Sequence, residues 1–194
     1  MIRFFDILIS FLSLIIFTPL LIVIALPLFF TTKGNIFYTQ RRVGQNNRDF
    51  TLYKFRTMYT GADKTGFLTV GDKDQRITPL GYFLRKYKLD ELPQLFNVLI
   101  GDMSLVGPRP EVRKYVNLYT PEQKKVLNVR PGITDYASIK YVNENQILAQ
   151  SANPEKFYLQ EIMPLKLNLN LHYIENRSVK EYFKIIGLTI KSIL

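Results

Sequence analysis

The sequence contains no cysteine, no tryptophan and a single histidine, His172. Without cysteine the chain can form neither a disulfide nor a thiolate nucleophile, and such a composition suits a reducing cytoplasm. One histidine cannot build a histidine-based acid–base pair, and His172 in the run LNLHYIEN is interpreted as a structural or surface residue. We therefore expect any chemistry to come from carboxylates and basic side chains.

Acidic residues are scarce relative to basic ones, 16 against 26, which gives a formal net charge of +10. A strongly basic protein suits polyanionic partners. Nucleic acid is not predicted as a partner, because no zinc-ligand, helix-turn-helix or aromatic RNA-binding pattern accompanies the charge. An anionic membrane surface and a phosphate-bearing substrate explain the charge better.

One long uncharged apolar run, Ile7 to Phe30, lies near the N-terminus. As a single helix it would measure roughly 36 Å at 1.5 Å per residue, enough to cross a bilayer. Pro19 near its middle removes one backbone hydrogen bond and disfavours helical angles at Thr18. Positive charge on both flanks, including Lys33, suits a re-entrant helix with both ends in the cytoplasm. The residues alone leave a re-entrant helix and a kinked spanning helix open, whereas the length argues against a cleaved signal peptide.

The segment Leu89 to Pro110, LDELPQLFNVLIGDMSLVGPRP, begins with two adjacent carboxylates. Asp90 is predicted to be the N-cap of a helix that has Pro93 in its first turn and ends at Gly101. A carboxylate at a helix start stays ionised, as a nucleophile must. Glu91 points in another direction and is free to hold a divalent metal. The alternative is that the pair comprises only a cap and a surface acid.

The same segment ends with an arginine, Arg109, between Pro108 and Pro110. The two prolines restrict the backbone on either side, so the loop presents the guanidinium stiffly, and its planar fork suits phosphate oxygens. A proline-rich loop without function is the alternative. Together the acids and the fixed cation predict metal-assisted chemistry on a phosphate.

Two segments before this one carry further candidate phosphate ligands. Alternating apolar and polar residues over 35–40 and 50–56, around the turn 44–47, predict a β-hairpin with Lys54 and Arg56 on one face. Residues 59–75 are polar and contain glycine, so we expect a mobile loop that covers substrate. The stretch 76–88 is predicted to be helical after Pro79 and to deliver Arg85 toward the acidic pair, with Lys86 and Lys88 as a solvated basic face in the alternative.

Helix starts are predicted at Thr120-Pro121-Glu122, at Asn153-Pro154-Glu155 and at Ser178. The last helix would carry lysines around one side and apolar residues on the other: Tyr182, Phe183, Ile185, Ile186, Ile190 and Leu194. A basic amphipathic helix of this kind is typical of the membrane interface, and packing against a core is the alternative.

The ordered motifs of this chain resemble the bacterial sugar transferase family, the small monotopic phosphoglycosyl transferases that act on polyprenol phosphate. The match runs over most of the chain. Its motifs are Thr18-Pro19, QRRVG at 40–44, YKFRTM at 53–58, RIT at 76–78 with Gly81 and Leu84-Arg85, Leu89 to Pro110, and RPGIT at 130–134.

The resemblance implies a two-step reaction in which Asp90 attacks the β-phosphate of a UDP-sugar, releases UMP and holds the phosphosugar covalently. Undecaprenyl phosphate then accepts the phosphosugar. The resemblance makes Glu91 a ligand of Mg²⁺ and Arg109 the arginine of the family's PRP loop, with Lys54, Arg85 and Arg56 expected around the diphosphate. The implied partners are the UDP-sugar, undecaprenyl phosphate and the anionic lipids of the bacterial inner membrane, and the oligomeric state, a homodimer included, stays open.

The sequence departs from the family's commonest pattern after Thr134. Many members continue with Gly-Trp and later Asn-Gly-Arg, whereas this chain reads Asp135-Tyr136-Ala137-Ser138 and has no tryptophan. Asp135 and Tyr136 could contact the sugar or the nucleotide, and ordinary packing after the turn fits equally well. The identity of the sugar stays open.

The predicted fold is α+β and mainly helical. Residues 1–32 are expected to form a re-entrant membrane helix, broken at Thr18-Pro19, and residues 33–194 one cytoplasmic phosphoglycosyl transferase domain with a small β-hairpin and interfacial amphipathic helices. The expected location is the cytoplasmic face of the bacterial inner membrane. The rival hypothesis is a non-catalytic membrane-anchored adaptor of glycan assembly, which would not need Asp90, Glu91 and Arg109 together.

Overall fold

A computed structural model of the protein describes residues 1–31, 34–62, 66, 68–71 and 74–193. Lys33, the proposed 32/33 domain boundary, part of the 59–75 loop and Leu194 lie outside the described residues.

The chain is mainly helical with two small sheets, which confirms the α+β class. The helices are α1 Ile2–Thr31, α2 Pro79–Lys86, α3 Gln94–Ile100, α4 Arg113–Val116, α5 Tyr136–Lys140, α6 Glu144–Ala149, α7 Pro154–Phe157, α8 Met163–Glu175 and α9 Val179–Ile193. The strands are β1 Phe37–Val43, β2 Asp49–Phe55, β3 Ser104–Val106 and β4 Gly132–Thr134.

The apolar helix α1 is continuous from Ile2 to Thr31, so the predicted break at Thr18-Pro19 is not present in the secondary structure. Pro19 removes only one intrahelical hydrogen bond, and the Thr18 hydroxyl adds a bond to the carbonyl of Leu14 at 2.6 Å. The most apolar part has a mean hydropathy of 2.9, and by length and composition the helix could cross a membrane.

Both ends of α1 are attached to the rest of the molecule. Near the N-terminus, Arg3 donates to the carbonyls of Val98 and Leu99 at the end of α3. Asp6, which is buried, accepts hydrogen bonds from the Ser104 hydroxyl, the Leu105 amide and the Tyr182 hydroxyl, each at 2.9 Å. Toward the other end, Ile24 and Leu28 are buried in one apolar cluster with Phe55 and Leu84.

The outward face of α1 exposes large apolar side chains along its whole length. They are Phe4, Ile7, Leu8, Phe11, Leu12, Ile15, Ile16, Phe17, Ile22, Val23, Leu26, Phe29 and Phe30. An apolar face of this extent is far larger than a soluble protein normally exposes to water, and it marks a surface for lipid or protein.

The predicted β-hairpin is confirmed: β1 and β2 pair antiparallel from Phe37↔Phe55 to Val43↔Asp49. β1 runs three residues beyond its predicted end at Gln40. The turn between the strands contains Asn46 and Asn47 with φ of 56° and 60°, a conformation that asparagine tolerates better than most residues.

Helix α2 begins at Pro79, close to the predicted start after that residue. The Thr78 hydroxyl caps it by accepting a hydrogen bond from the Gly81 amide at 2.9 Å. Gly81 lies against the chain that leaves β2: a Cβ at this position would stand 2.0 Å from the carbonyl oxygen of Thr57. The close approach brings α2 alongside the hairpin, beside the C-terminal half of α1.

A second sheet, which the sequence analysis did not predict, pairs β3 and β4 in parallel with Ser104 opposite Gly132 and Val106 opposite Thr134. Its ends are drawn together by glycines, since a Cβ on Gly132 would lie 2.1 Å from the amide nitrogen of Gly107. The GPRP loop after β3 is thereby held against the RPGIT segment.

Two of the three predicted helix starts are confirmed as α-helices, and the third begins a 3₁₀ helix. Asn153 caps α7 and Ser178 caps α9 as predicted, each side-chain oxygen accepting an amide hydrogen bond three residues on. After Thr120 the chain forms a 3₁₀ helix, Gln123–Asn128, although Thr120 and Gln123 make a reciprocal cap.

In α9, Tyr182 and Ile185 are fully buried, whereas Phe183, Leu188 and Ile190 are exposed. One side of α9 therefore packs in the core, as the alternative prediction for this helix stated.

Candidate active site

A cavity of about 300 Å³ lies between the hairpin, α2, the GPRP loop and the α5–α6 segment. It brings together six residues singled out from the sequence: Lys54, Arg56, Arg85, Asp90, Glu91 and Arg109. With its other lining residues the cavity wall combines three acids with eight cations, an environment suited to a polyanionic ligand.

The two acids lie in a 3₁₀ turn, Leu89–Glu91, and α3 begins only at Gln94. The prediction that Asp90 caps a helix is therefore wrong. Pro93 has no amide hydrogen to donate to the carbonyl of Leu89, and bonds between residues three apart replace the α-helical pattern around it. Gly101 ends α3 in a left-handed conformation with φ of 103°, as predicted.

Asp90 is 6% exposed, and its burial raises the pKa of the carboxyl group. The charge of Lys54 acts in the opposite direction, as do those of Arg85 and Lys88. Cations rather than helix amides therefore favour the ionised form of Asp90. A carboxylate with little water around it and positive charge facing it is suited to nucleophilic attack on a phosphate.

Glu91 is held by two cations. Arg109 donates from Nη1 to Oε2 at 3.2 Å and from Nη2 to Oε1, and Lys54 Nζ donates to Oε1 at 2.9 Å. The attraction of Arg109 and Lys54 outweighs burial and holds the pKa of Glu91 well below its usual range. Glu91 in turn raises the pKa of the Arg109 guanidinium.

The acids at the cavity also bear on metal binding. Among the residues that the structure describes, no group of three or more His, Cys, Asp or Glu side chains could hold a metal by protein ligands alone. Mg²⁺ is commonly held by one or two carboxylates together with substrate phosphates and water. Ionised Glu91, beside Asp90 on the cavity wall, can join that second mode of binding by giving up one of its contacts with Lys54 or Arg109.

The loop that carries Arg109 is tied down at three consecutive residues. Pro108 accepts from the Gly132 amide at 3.0 Å, Arg109 donates its amide to Asp135 at 3.1 Å, and Pro110 accepts from Arg42 at 3.1 Å. Pro108 and Pro110 do not line the main cavity; they line a separate, smaller one. The prediction of a stiff loop agrees with this geometry, in which hydrogen bonds add to the restriction by the prolines.

Asp135 and Tyr136 do not line the cavity. Asp135 is buried and caps α5 by accepting from the Ser138 amide, in addition to its bond with Arg109. The Tyr136 hydroxyl donates to Glu181 on α9. The positions of Asp135 and Tyr136 agree with the alternative that both residues serve packing after the turn. Nothing in this geometry supports their contact with the sugar.

Further basic residues at the cavity were not predicted as site residues. Arg42 lies in the QRRVG motif and supports Pro110, and Arg76 of the RIT motif pairs with Asp74 and donates to the carbonyls of Gly66 and Leu68. Both motifs were recognised, so attention to their arginines would have found these two. Lys166, which pairs with Glu144 at 2.7 Å, reaches the cavity from α8, and no local pattern indicates it.

Comparison with known proteins adds to this geometry. The chain is 36% identical to a UDP-N-acetylgalactosamine-undecaprenyl-phosphate N-acetylgalactosaminephosphotransferase of Aeromonas hydrophila, over 99% of this chain and 43% of that protein. It is 36% identical to a UDP-glucose:undecaprenyl-phosphate glucose-1-phosphate transferase of Klebsiella pneumoniae, over 97% and 39%. It is 33% identical to an exopolysaccharide production protein of Sinorhizobium fredii, over 98% and 84%. The chain thus spans less than half the length of the first two relatives.

The match to a family model covers the whole chain. Residues 1–194 fit the model described as bacterial sugar transferase, and the cavity residues fall within its span. With the sequence relatives, this match shows that the chain belongs to the bacterial sugar transferase family.

Proposed function

We propose that the protein transfers a phosphosugar from a UDP-sugar to undecaprenyl phosphate, giving undecaprenyl-diphosphate-sugar and UMP, as a first membrane step of glycan assembly. The observation that carries the proposal is buried Asp90 in a cavity lined by Lys54, Arg85 and Arg109. The relatives named as transferases to undecaprenyl phosphate support the choice of acceptor. The product would begin an O antigen, a capsule, an exopolysaccharide or the glycan of a glycoprotein.

In the first step an Asp90 oxygen bonds to the β-phosphorus while the bond from that phosphorus to the bridging oxygen breaks. UMP leaves with the bridging oxygen and its electron pair, so no general acid is needed. Lys54, Arg85 and Arg109 line the same cavity and would attract the phosphoryl oxygens, which otherwise repel an incoming carboxylate.

In the second step an oxygen of undecaprenyl phosphate bonds to the same phosphorus, and the bond from phosphorus to the aspartyl oxygen breaks. The Asp90 carboxylate is restored, and the phosphosugar is linked through a diphosphate to the lipid. The cations that neutralise the donor serve the acceptor in the same way.

Glu91 is the residue that would hold Mg²⁺ at this site. Bound Mg²⁺ would neutralise part of the charge on the diphosphate oxygens. Glu91 also orders the site by itself, because it holds the side chains of Lys54 and Arg109 at the cavity wall.

We further propose that α1 is re-entrant, with its change of direction taken up by a bend at Pro19 within the continuous helix, and that the domain lies on the cytoplasmic face of the bacterial inner membrane. A 30-residue helix is roughly 45 Å long. Both of its ends contact the same domain, at Asp6 and at Leu28, and a helix that crosses the bilayer would carry one end away from it. A single cysteine placed before Arg3, in a chain with no other, tests this: labelling only from the periplasmic side would reject the model.

The reaction is tested by intact-protein mass spectrometry with the UDP-sugar donor alone. A panel of UDP-sugars is needed, because the sugar is not identified. We expect the mass of one phosphosugar to be added to the wild-type protein and none to Asp90→Asn, which also loses UMP release. Normal turnover by Asp90→Asn would refute the nucleophile. Absence of donor-dependent UMP release with every sugar would favour the adaptor hypothesis.

A further inference from the structure

The segment that joins α5 to α6 forms one wall of the catalytic cavity. The wall residues are Ser138, Tyr141, Val142, Glu144 and Asn145. The one charged residue among them, Glu144, is paired with Lys166 of α8 at 2.7 Å. This wall therefore offers neutral polar, aromatic and apolar groups, whereas the hairpin, α2 and the GPRP loop offer cations to the same cavity.

The side chain of Asn145 is the unengaged polar group of this wall. Two side-chain amides, those of Gln40 and Asn145, line the described part of the cavity. The Gln40 oxygen accepts two hydrogen bonds from Arg42, at 2.7 and 3.0 Å. The Asn145 side chain makes no hydrogen bond within the part of the chain that the structure describes, although the Gly71 amide holds its backbone carbonyl at 2.8 Å. An amide both donates and accepts, so it is suited to a ligand hydroxyl, which does the same.

Asn145 lies near the residues proposed to bind the phosphates. Glu91 chiefly, and Glu144 to a smaller extent, raise the pKa of the Arg109 guanidinium, so the residue before Asn145 acts on Arg109 across the cavity that both line. The sugar of the donor is joined to the reacting β-phosphorus through one oxygen, whereas the α-phosphate separates the ribose and uracil from it. A neutral wall close to Arg109 therefore suits the sugar better than the base.

The position of this wall in the sequence points to the same part of the donor. Most of the cavity's charged residues come from motifs that match the family, such as YKFRTM and Leu89 to Pro110. Asn145 lies after Thr134, where the sequence departs from the family's commonest pattern. UDP is common to all the donors considered, and the sugar is the part that distinguishes one donor from another.

We propose that Asn145 is a specificity-determining residue whose side-chain amide binds a hydroxyl of the donor sugar. This inference rests on the proposed function. It deepens that function by assigning the reading of the sugar to the wall between α5 and α6, after the structure has placed Asp135 and Tyr136 outside the cavity.

The experiment compares Asn145→Ala with Asn143→Ala. Asn143 lies in the same segment, does not line the cavity and makes no side-chain cap for α6, so it is a matched control for the loss of an asparagine amide. The donors are UDP-glucose, UDP-galactose, UDP-N-acetylglucosamine and UDP-N-acetylgalactosamine. The first readout is kcat/KM for UMP release with each donor and undecaprenyl phosphate. The second is the inhibition constant of UDP, which carries no sugar.

For Asn145→Ala we expect the ratio of kcat/KM between the two donors that the wild type uses best to fall about fivefold, equivalent to about 1 kcal/mol, as for a lost hydrogen bond between neutral groups. The inhibition constant of UDP should not change. Asn143→Ala should leave both quantities at their wild-type values. Because the Asn145 side chain has no partner among the described residues, its truncation leaves none of them unpaired.

Three results would overturn the inference: an equal loss with all four donors, an unchanged ratio, or the same fall in Asn143→Ala. A weaker inhibition by UDP that matches the loss of kcat/KM would also overturn it and would place Asn145 at the nucleotide. If the wild type releases no UMP from any donor, the proposed function itself fails, which is a different result.

Discussion

Arg109 holds both carboxylate oxygens of Glu91, with Nη1 on Oε2 and Nη2 on Oε1, while Lys54 shares Oε1 from the hairpin. The Glu91 side chain is 12% exposed, so this acid neutralises two cations with little help from water. The pairing joins the GPRP loop to β2 across the cavity. Loss of this pairing should lower the stability of the protein as well as its activity.

Glu91→Gln should lower the free energy of unfolding by about 3 kcal/mol, because it removes the carboxylate that pairs directly with both Lys54 and Arg109, two cations largely removed from water. The pKa of Glu91 is lowered in the folded state, so its contribution is complete above the unfolded pKa and is lost as pH falls through the lower folded pKa. The difference between variant and wild type should therefore be largest near neutral pH and shrink in strong acid.

Thermal unfolding in EDTA, over a series of pH values, measures this effect. Glu155→Gln is the matched control, since Glu155 pairs with Lys114 on the surface with about half of each side chain exposed. That exposed pair should contribute less than about 1 kcal/mol. Equal effects of the two substitutions would contradict the account of Glu91.

Asp90→Asn should stabilise the protein at neutral pH although it abolishes turnover. Burial raises the pKa of Asp90 above its unfolded value, so the folded state binds more protons and stability falls as pH rises between the two values. The uncharged amide escapes that penalty. The melting temperature of Asp90→Asn should exceed that of the wild type at pH 7, and the gain should vanish in acid; a lower melting temperature at pH 7 would count against it.

Lys54→Met should move the acid limb of adduct formation to higher pH. The charge of Lys54 lowers the pKa of Asp90, so its removal raises that pKa and the nucleophile ionises later as pH rises. The measurement is the rate of phosphosugar addition against pH. Arg56→Met provides the comparison: Arg56 lines the cavity and binds the carbonyl of Asn35, and it should slow the step with a smaller shift of the limb.

The elements that could be predicted from the sequence are those that local chemistry determines. The hairpin, the start of α2 near Pro79 and the Asn153 cap each follow from residues close together in the chain. The role of Asp90 in the turn was misread because Pro93, expected inside the helix, delays its start. A single helical segment also survives Pro19, since one proline removes too little to interrupt so apolar a helix.

The sequence indicated which residues belong to the candidate site better than it indicated how they are arranged. Motifs indicated Asp90, Glu91 and Arg109, but the parallel pairing of β3 with β4 joins segments far apart in sequence through strands of three residues. Such short strands carry no periodic pattern of their own. The hydrogen bond from the Arg109 amide to Asp135 depends on that pairing, so the sequence did not indicate it either.

Gly132→Ala should severely destabilise the protein and reduce activity with it. The added Cβ would stand 2.1 Å from the amide nitrogen of Gly107, a backbone atom that cannot move without breaking the β3–β4 pairing. Gly187→Ala is the control: its Cβ meets nothing within 4 Å, and a helical glycine replaced by alanine should gain about 0.5–1 kcal/mol. Thermal unfolding compares the two, and similar effects would contradict the close approach.

Asp135→Ala should lower activity equally with every UDP-sugar. The substitution removes the cap of α5 and the acceptor for the Arg109 amide, so it should cost about 1 kcal/mol in stability and displace the arginine that faces the phosphates. Phosphates are common to all donors, and the displacement cannot favour one sugar over another. The measurement is kcat/KM across a panel of UDP-sugars, beside thermal unfolding. A selective loss for one sugar with unchanged stability would instead place Asp135 at the sugar and reverse the assignment made from its burial.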